Sequence, residues 1–175
     1  MTAQPFRILL PHRRTTSVIF ASPHSGRTYP PDFLRRSWLD DLAIRSSEDA
    51  FVDDLLAPAP AAGAPLLLAE VPRAYVDLNR SPDELDPMLI EGVARSTLNP
   101  RISSGLGVIP RVVANGRPIY RGRIALAEAQ ARIARCWRPY HAALRRLMDE
   151  HAAAFGEAVL VDCHSMPHEA VEGYP

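Results

Sequence analysis

The sequence predicts a single α/β domain, and three observations carry that prediction. Two short apolar, β-branched runs, residues 16–21 and 158–163, each stop abruptly in a polar, turn-forming stretch, the signature of buried strands that deliver loops. Between them, residues 125–154 place Ile133, Trp137, Tyr140, Leu144, Leu147 and Met148 at three- and four-residue steps, one face of a long helix. Strands separated by helices, with polar residues just past the strand ends, describe an α/β sheet with ligand chemistry at its carboxyl edge. A chain of 175 residues is long enough to bury one sizeable core.

Taken in order, residues 16–21 feed Ser22-Pro23-His24-Ser25-Gly26. Over residues 39–56, Leu42, Ala43, Val52, Leu55 and Leu56 suit helix, while Arg45-Ser46-Ser47-Glu48-Asp49 suits a break with Ser47 as cap, so two helices are predicted. Residues 57–65 alternate Ala and Pro around Gly63, a short surface connection. Residues 66–71 and 74–78 read as strands. Residues 81–118 are rich in Gly, Pro, Asn and Ser with weak periodicity, which predicts a functional or mobile loop such as a lid. The long helix is expected to kink at Pro139 and end at Gly156, with Arg132, Arg135, Arg138, Arg145 and Arg146 on a solvated face.

Composition removes several function classes. Twenty basic and 20 acidic side chains give zero formal charge, which argues against a nucleic-acid binder. Every basic residue is Arg and none is Lys, so neither a Schiff-base lysine nor a phosphate-loop lysine exists. Cys136 and Cys163 cannot form a Cys-rich zinc site or a disulfide framework, so a metal would be held by His and carboxylate. Without an apolar run of membrane-spanning length or a signal-peptide core, the expectation is a soluble, cytoplasmic protein with no membrane partner.

Two strand ends share one grammar, Pro23-His24-Ser25-Gly26 and Asp162-Cys163-His164-Ser165. Two histidines at such ends can point into one crevice and suit Zn2+, with Glu48 or Asp49 as a third, carboxylate ligand and an open fourth position. Hydrogen-bonded structural histidines are the competing reading, and spacing alone leaves both open. By strand alternation Asp162 shares a face with His164, where it could orient the ring, and Cys163 faces away. His12, His141, His151 and His168 are weaker candidates. Asn79-Arg80, read at a strand end, offers an amide and a guanidinium fork to a carboxylate, and Arg73 could meet a second anion or pair with Asp77 or Glu70. Neither Ser25 nor Ser165 sits in a Gly-x-Ser-x-Gly elbow.

Taken together and in order, Pro23-His24-Ser25-Gly26, Glu48-Asp49-Ala50-Phe51-Val52-Asp53, Arg73 to Arg80, Trp137-Arg138-Pro139-Tyr140-His141 and Asp162-Cys163-His164-Ser165 closely resemble the N-formylglutamate amidohydrolase family. The resemblance runs from about Val18 onward. It implies a zinc carboxypeptidase/aspartoacylase-like hydrolase with a three-layer, phosphorylase/hydrolase-like fold around a mixed, mostly parallel sheet. It also implies zinc on His24, His164 and Asp49, the last preferred to Glu48, with Asn79 and Arg80 receiving a substrate carboxylate. The implied reaction is hydrolysis of the formamide of N-formyl-L-glutamate, or of a related small-molecule N-acyl amino acid, as in histidine degradation. An inactive domain that binds an acidic amino acid, or a zinc deacylase or peptidase with another N-acyl substrate, are the alternatives. Family members continue to a further strand that supplies a glutamate base, so the expectation is one domain over residues 1–175, truncated at its C-terminus, with Glu70 as the alternative base.

Overall fold

The computed structural model describes residues 4–94 and 99–166. It has strands β1 (Phe6–Leu9), β2 (Val18–Ser22), β3 (Leu66–Ala69), β4 (Ile90–Glu91), β5 (Ile124–Ala125) and β6 (Val159–Asp162). Four of them form a sheet in the order β1-β3-β2-β6. β2 runs parallel to both neighbours, and β1 is antiparallel to β3. The sheet is therefore mixed and mostly parallel. β4 and β5 form a separate parallel pair.

Both faces of the sheet are covered, which is why β3 is an unbroken Leu-Leu-Leu-Ala run with every residue buried. On one face Ile19, Ala21, Leu67 and Ala69 pack with Tyr140 and Leu147 in the main core. On the other, Leu66 and Leu68 pack with Ala59, Leu56 and Phe20. Alternation along β2 assigns Ile19 and Ala21 to the first face and Phe20 to the second.

Five α-helices are described: α1 (Pro31–Arg35), α2 (Val52–Leu56), α3 (Pro100–Ser103), α4 (Leu126–Arg132) and α5 (Arg138–Phe155). The predicted long helix is α4 and α5 joined by a π-helical turn, Ile133–Trp137. Pro139 has no N–H for the carbonyl one turn back, and the helix widens just before it, with Arg138 N–H bonding to Ile133 O, so the irregularity falls in the turn that the proline perturbs. Gly156, at φ 80°, ends α5 as the sequence predicts.

Several expectations are corrected. Residues 74–78 are turns, not a strand: Tyr75 N–H bonds back to Pro72 O, and Ala74, Val76 and Leu78 are buried by tertiary packing instead of a ladder. Ser47 does not cap α2, which starts after Phe51 in a left-handed conformation. Residues 81–118 are divided: Ile90, Val108 and Ile109 are fully buried, and Asp77 N–H and Glu84 O both bond to Val108, while residues 114–118 are exposed.

Arg132 is not solvated. Its guanidinium lies 4.2 Å from the Tyr75 ring centroid, donates to the Tyr120 hydroxyl at 2.7 Å and pairs with Glu128. β6, predicted to be buried, has Val159, Leu160 and Val161 37–42% exposed, because it pairs with β2 alone among the described residues. β1, whose Phe6-Arg7-Ile8-Leu9 ladder extends the sheet beyond β3, is not among the strands expected from the sequence.

Candidate active site

β2 and β6 are adjacent and parallel, with Ala21 opposite Asp162, so both strands end at one edge of the sheet. His24 and His164 each lie two residues past their strand end, and their ring centroids are 4.8 Å apart. The loop before α2 brings in Asp49, whose N–H bonds to the His24 carbonyl at 3.1 Å. One carboxylate oxygen, Asp49 Oδ2, then faces both rings, 2.8 Å from His164 Nδ1 and 3.5 Å from His24 Nδ1.

The opposite nitrogen of each ring meets another carboxylate. His24 Nε2 is 2.8 Å from Asp77 Oδ1, and His164 Nε2 is 3.1 Å from Asp162 Oδ2. Asp77, itself buried, is a node: its other oxygen accepts from Arg73 Nε at 2.9 Å, and Oδ1 also accepts the Asn79 N–H at 2.9 Å. Burial alone would raise the Asp77 carboxyl pKa, but His24, Arg73 and the Asn79 amide hold it down at about 2. Asp49 is likewise lowered against its burial, by His24 and His164. Burial of His24 disfavours its charged form, yet the neighbouring Asp49 and Asp77 carboxylates outweigh this and raise its pKa.

This donor set suits a metal ion. Nδ1 of His24 is buried with no hydrogen-bond partner, and one ligand atom each from His24, Asp49 and His164 lie within 4.8 Å of one another. With Nε2–H donating to Asp77, a neutral His24 ring presents Nδ1 as a lone pair, the carboxylate–histidine–metal arrangement, and His164 turns Nδ1 to Asp49. Two nitrogens and one carboxylate oxygen make a three-ligand set appropriate to zinc. The expected alternative ligand, Glu48, is engaged elsewhere, accepting from the Tyr29 hydroxyl at 2.7 Å and from Arg45 at 3.1 Å.

The other predicted residues divide. Asn79 is in the site, its Nδ2 3.2 Å from His164 Nε2. Arg80 adjoins it and uses two of its N–H groups on the carbonyls of Leu106 and Asn79. Arg73 lines, with Asp49, Ser46, Ser104 and Ser165, a cleft of about 420 Å³. Glu70, the alternative base, has its carboxylate 2.8 Å from Arg7 on β1 and is outside the His24–Asp49–His164 group. The contact of Asp77 with His24 is not among the sequence expectations. A carboxylate between Val76 and Leu78 in an apolar run was the available signal, since a buried charge demands partners.

A family model described as N-formylglutamate amidohydrolase matches residues 16–173. The chain belongs to this family. It is 27% identical over 162 residues to an N-formylglutamate deformylase of Pseudomonas putida, covering 91% of this chain and 55% of that one. It is 29% identical over 157 residues to the Pseudomonas aeruginosa protein of the same name, covering 88% and 53%. The chain thus spans about half the length of the curated relatives it matches. A crystal structure of N-formylglutamate amidohydrolase from Ralstonia eutropha JMP134 superposes with a TM-score of 0.88 at 37% identity, over 97% of this chain and 61% of that one. A gene product of Agrobacterium tumefaciens, at 18% identity and a TM-score of 0.70, shares the fold.

Proposed function

We propose that this family member is a zinc-dependent amidohydrolase that removes the formyl group of N-formyl-L-glutamate, giving L-glutamate and formate. The observation that carries the reading is the convergence of His24, Asp49 and His164 beside Asn79 and Arg73 at one sheet edge. The names of the relatives support the substrate. Cover on both sheet faces supports the three-layer, phosphorylase/hydrolase-like reading of the fold.

In this proposal zinc, when bound, polarises the formyl carbonyl and activates a water. His24, Asp49 and His164 would hold it, while Asp77 would fix the His24 imidazole by accepting from Nε2 and Asp162 would orient His164 through its contact at Nε2. Asn79 and Arg80 receive a carboxylate of the substrate, which orients the amide toward the metal ligands. Arg73, held at Nε by Asp77, directs its remaining N–H groups to negative charge developing on the carbonyl oxygen.

Formate release from N-formyl-L-glutamate, measured on the full gene product after chelation and zinc return, tests the reading. Activity should vanish with the metal, return with zinc, and exceed that on N-acetyl-L-glutamate or a dipeptide. Undiminished turnover by metal-depleted protein would sink it.

A further inference from the structure

The motif Trp137-Arg138-Pro139-Tyr140-His141 has no role in the proposed chemistry, yet two of its side chains reach the backbone on either side of Asn79. Trp137 Nε1–H donates to the Arg80 carbonyl at 2.8 Å. His141 Nε2 is 2.8 Å from the Leu78 carbonyl, and since a carbonyl only accepts, the ring carries its proton on Nε2. The two rings are stacked, with centroids 3.9 Å apart and planes 28° from parallel. The main chain around Asn79 is therefore held at three points: Leu78 O by His141, Asn79 N by Asp77 and Arg80 O by Trp137.

This clamp compensates for a missing ladder. Residues 71–80 form no strand, so nothing in the sheet fixes the direction of the Asn79 side chain. The helix does so instead. Trp137 closes the π-helical turn, and a π-turn admits an extra residue, which rotates the helix that follows by about 100° relative to the one before. The irregular turn thus sets which face of α5 meets the Asn79 segment.

We infer that Trp137 and His141 are positioning residues that aim Asn79 at the substrate carboxylate. The inference rests on the reading of Asn79 as part of the carboxylate grip, and the experiment separates the two. Kinetics on N-formyl-L-glutamate, calorimetric binding of L-glutamate and zinc content are measured for the full gene product carrying Trp137→Phe, His141→Ala, His141→Gln or Asn79→Ala. Trp137→Phe keeps the ring stack and removes one N–H.

Trp137→Phe and His141→Ala should each raise KM and the L-glutamate Kd about tenfold, with kcat within about twofold. Zinc content should be unchanged, because the three metal ligands sit on other elements. His141→Gln, whose amide can donate close to the Nε2 position, should restore most of the affinity. If Asn79→Ala raises KM while Trp137→Phe and His141→Ala do not, the positioning role is overturned. A lower melting temperature with KM unchanged, or no rescue by His141→Gln, overturns it in favour of a structural role. If Asn79→Ala leaves KM and Kd unchanged, the carboxylate reading of Asn79 fails instead. Should Trp137→Phe fail to fold, the His141 pair decides the outcome.

Discussion

Two strands bring a histidine to the same edge of one sheet, but in contrasting surroundings. β2 lies between β3 and β6, and His24 beyond it is only 3% exposed, between Asp77 and Asp49. β6 pairs with β2 alone among the described residues, and the His164 side chain is 32% exposed. The first histidine is fixed by packing and a buried carboxylate, the second by polar contacts to Asp49, Asp162 and Asn79. Residues in matching places need not have equivalent support: one half of the site is part of the core and the other is attached to it.

The largest expected contrast comes from deleting each ring. His24→Ala and His164→Ala should both abolish zinc retention in equilibrium dialysis. In urea unfolding of the metal-free protein, His24→Ala should cost about 3–5 kcal/mol, since it strips a partner from the buried Asp77 carboxylate, and His164→Ala about 1 kcal/mol or less. Equal losses would erase the distinction between the halves. Next come Ile19 and Leu160, directly paired across β2 and β6. Ile19, fully buried, should lose about 2–5 kcal/mol on truncation to Ala, and Leu160 less than about 1 kcal/mol.

Smaller effects sharpen the same comparison. A Cβ at Gly26 would lie 2.1 Å from the Val71 carbonyl oxygen, so Gly26→Ala should destabilise by about 1–3 kcal/mol. Met166, at the same offset past His164, is 64% exposed, and Met166→Ala should stay within about 0.5 kcal/mol. Asp162→Asn, the mildest change, should weaken zinc binding about tenfold in competition with a chelator and leave the melting temperature unchanged.

The sequence makes the supported features legible where local chemistry and tertiary structure agree. Strand runs stopping at His24 and His164 announce both the sheet and its functional edge, and Gly156 announces the end of α5. Asp49 can be preferred to Glu48 only by resemblance, because both lie in one polar stretch; geometry separates them by giving Glu48 to Tyr29 and Arg45. Residues 74–78 carry strand-like composition, but their burial comes from contacts with residues distant in sequence, such as Val108, that no local pattern contains. The same holds for Val108 and Ile109, hidden in a stretch whose prolines and glycines read as loop. The contact of Asp77 with His24 and the burial of Arg132 escape the local pattern for a shared reason: a buried charge is recognised by its partners, and His24 and Tyr120 are supplied by other elements.

The exclusive use of arginine acquires a structural meaning at Arg132. A lysine forced into a core can shed its proton, whereas a guanidinium keeps its charge in any folded protein. Arg132 lies within 5.7 Å of the ring centroids of Phe33, Tyr75 and Tyr120, and its hydrogen bonds reach the Tyr75 carbonyl and the Tyr120 hydroxyl. Glu128, its ion-pair partner one turn earlier, also pairs with Arg36 just past α1. A helix docked one turn out of place would turn that permanent charge toward hydrocarbon, at a cost of several kcal/mol. The ion acts as an alignment key: it fixes how α4 seats beside α1, and the chain has no means of switching it off.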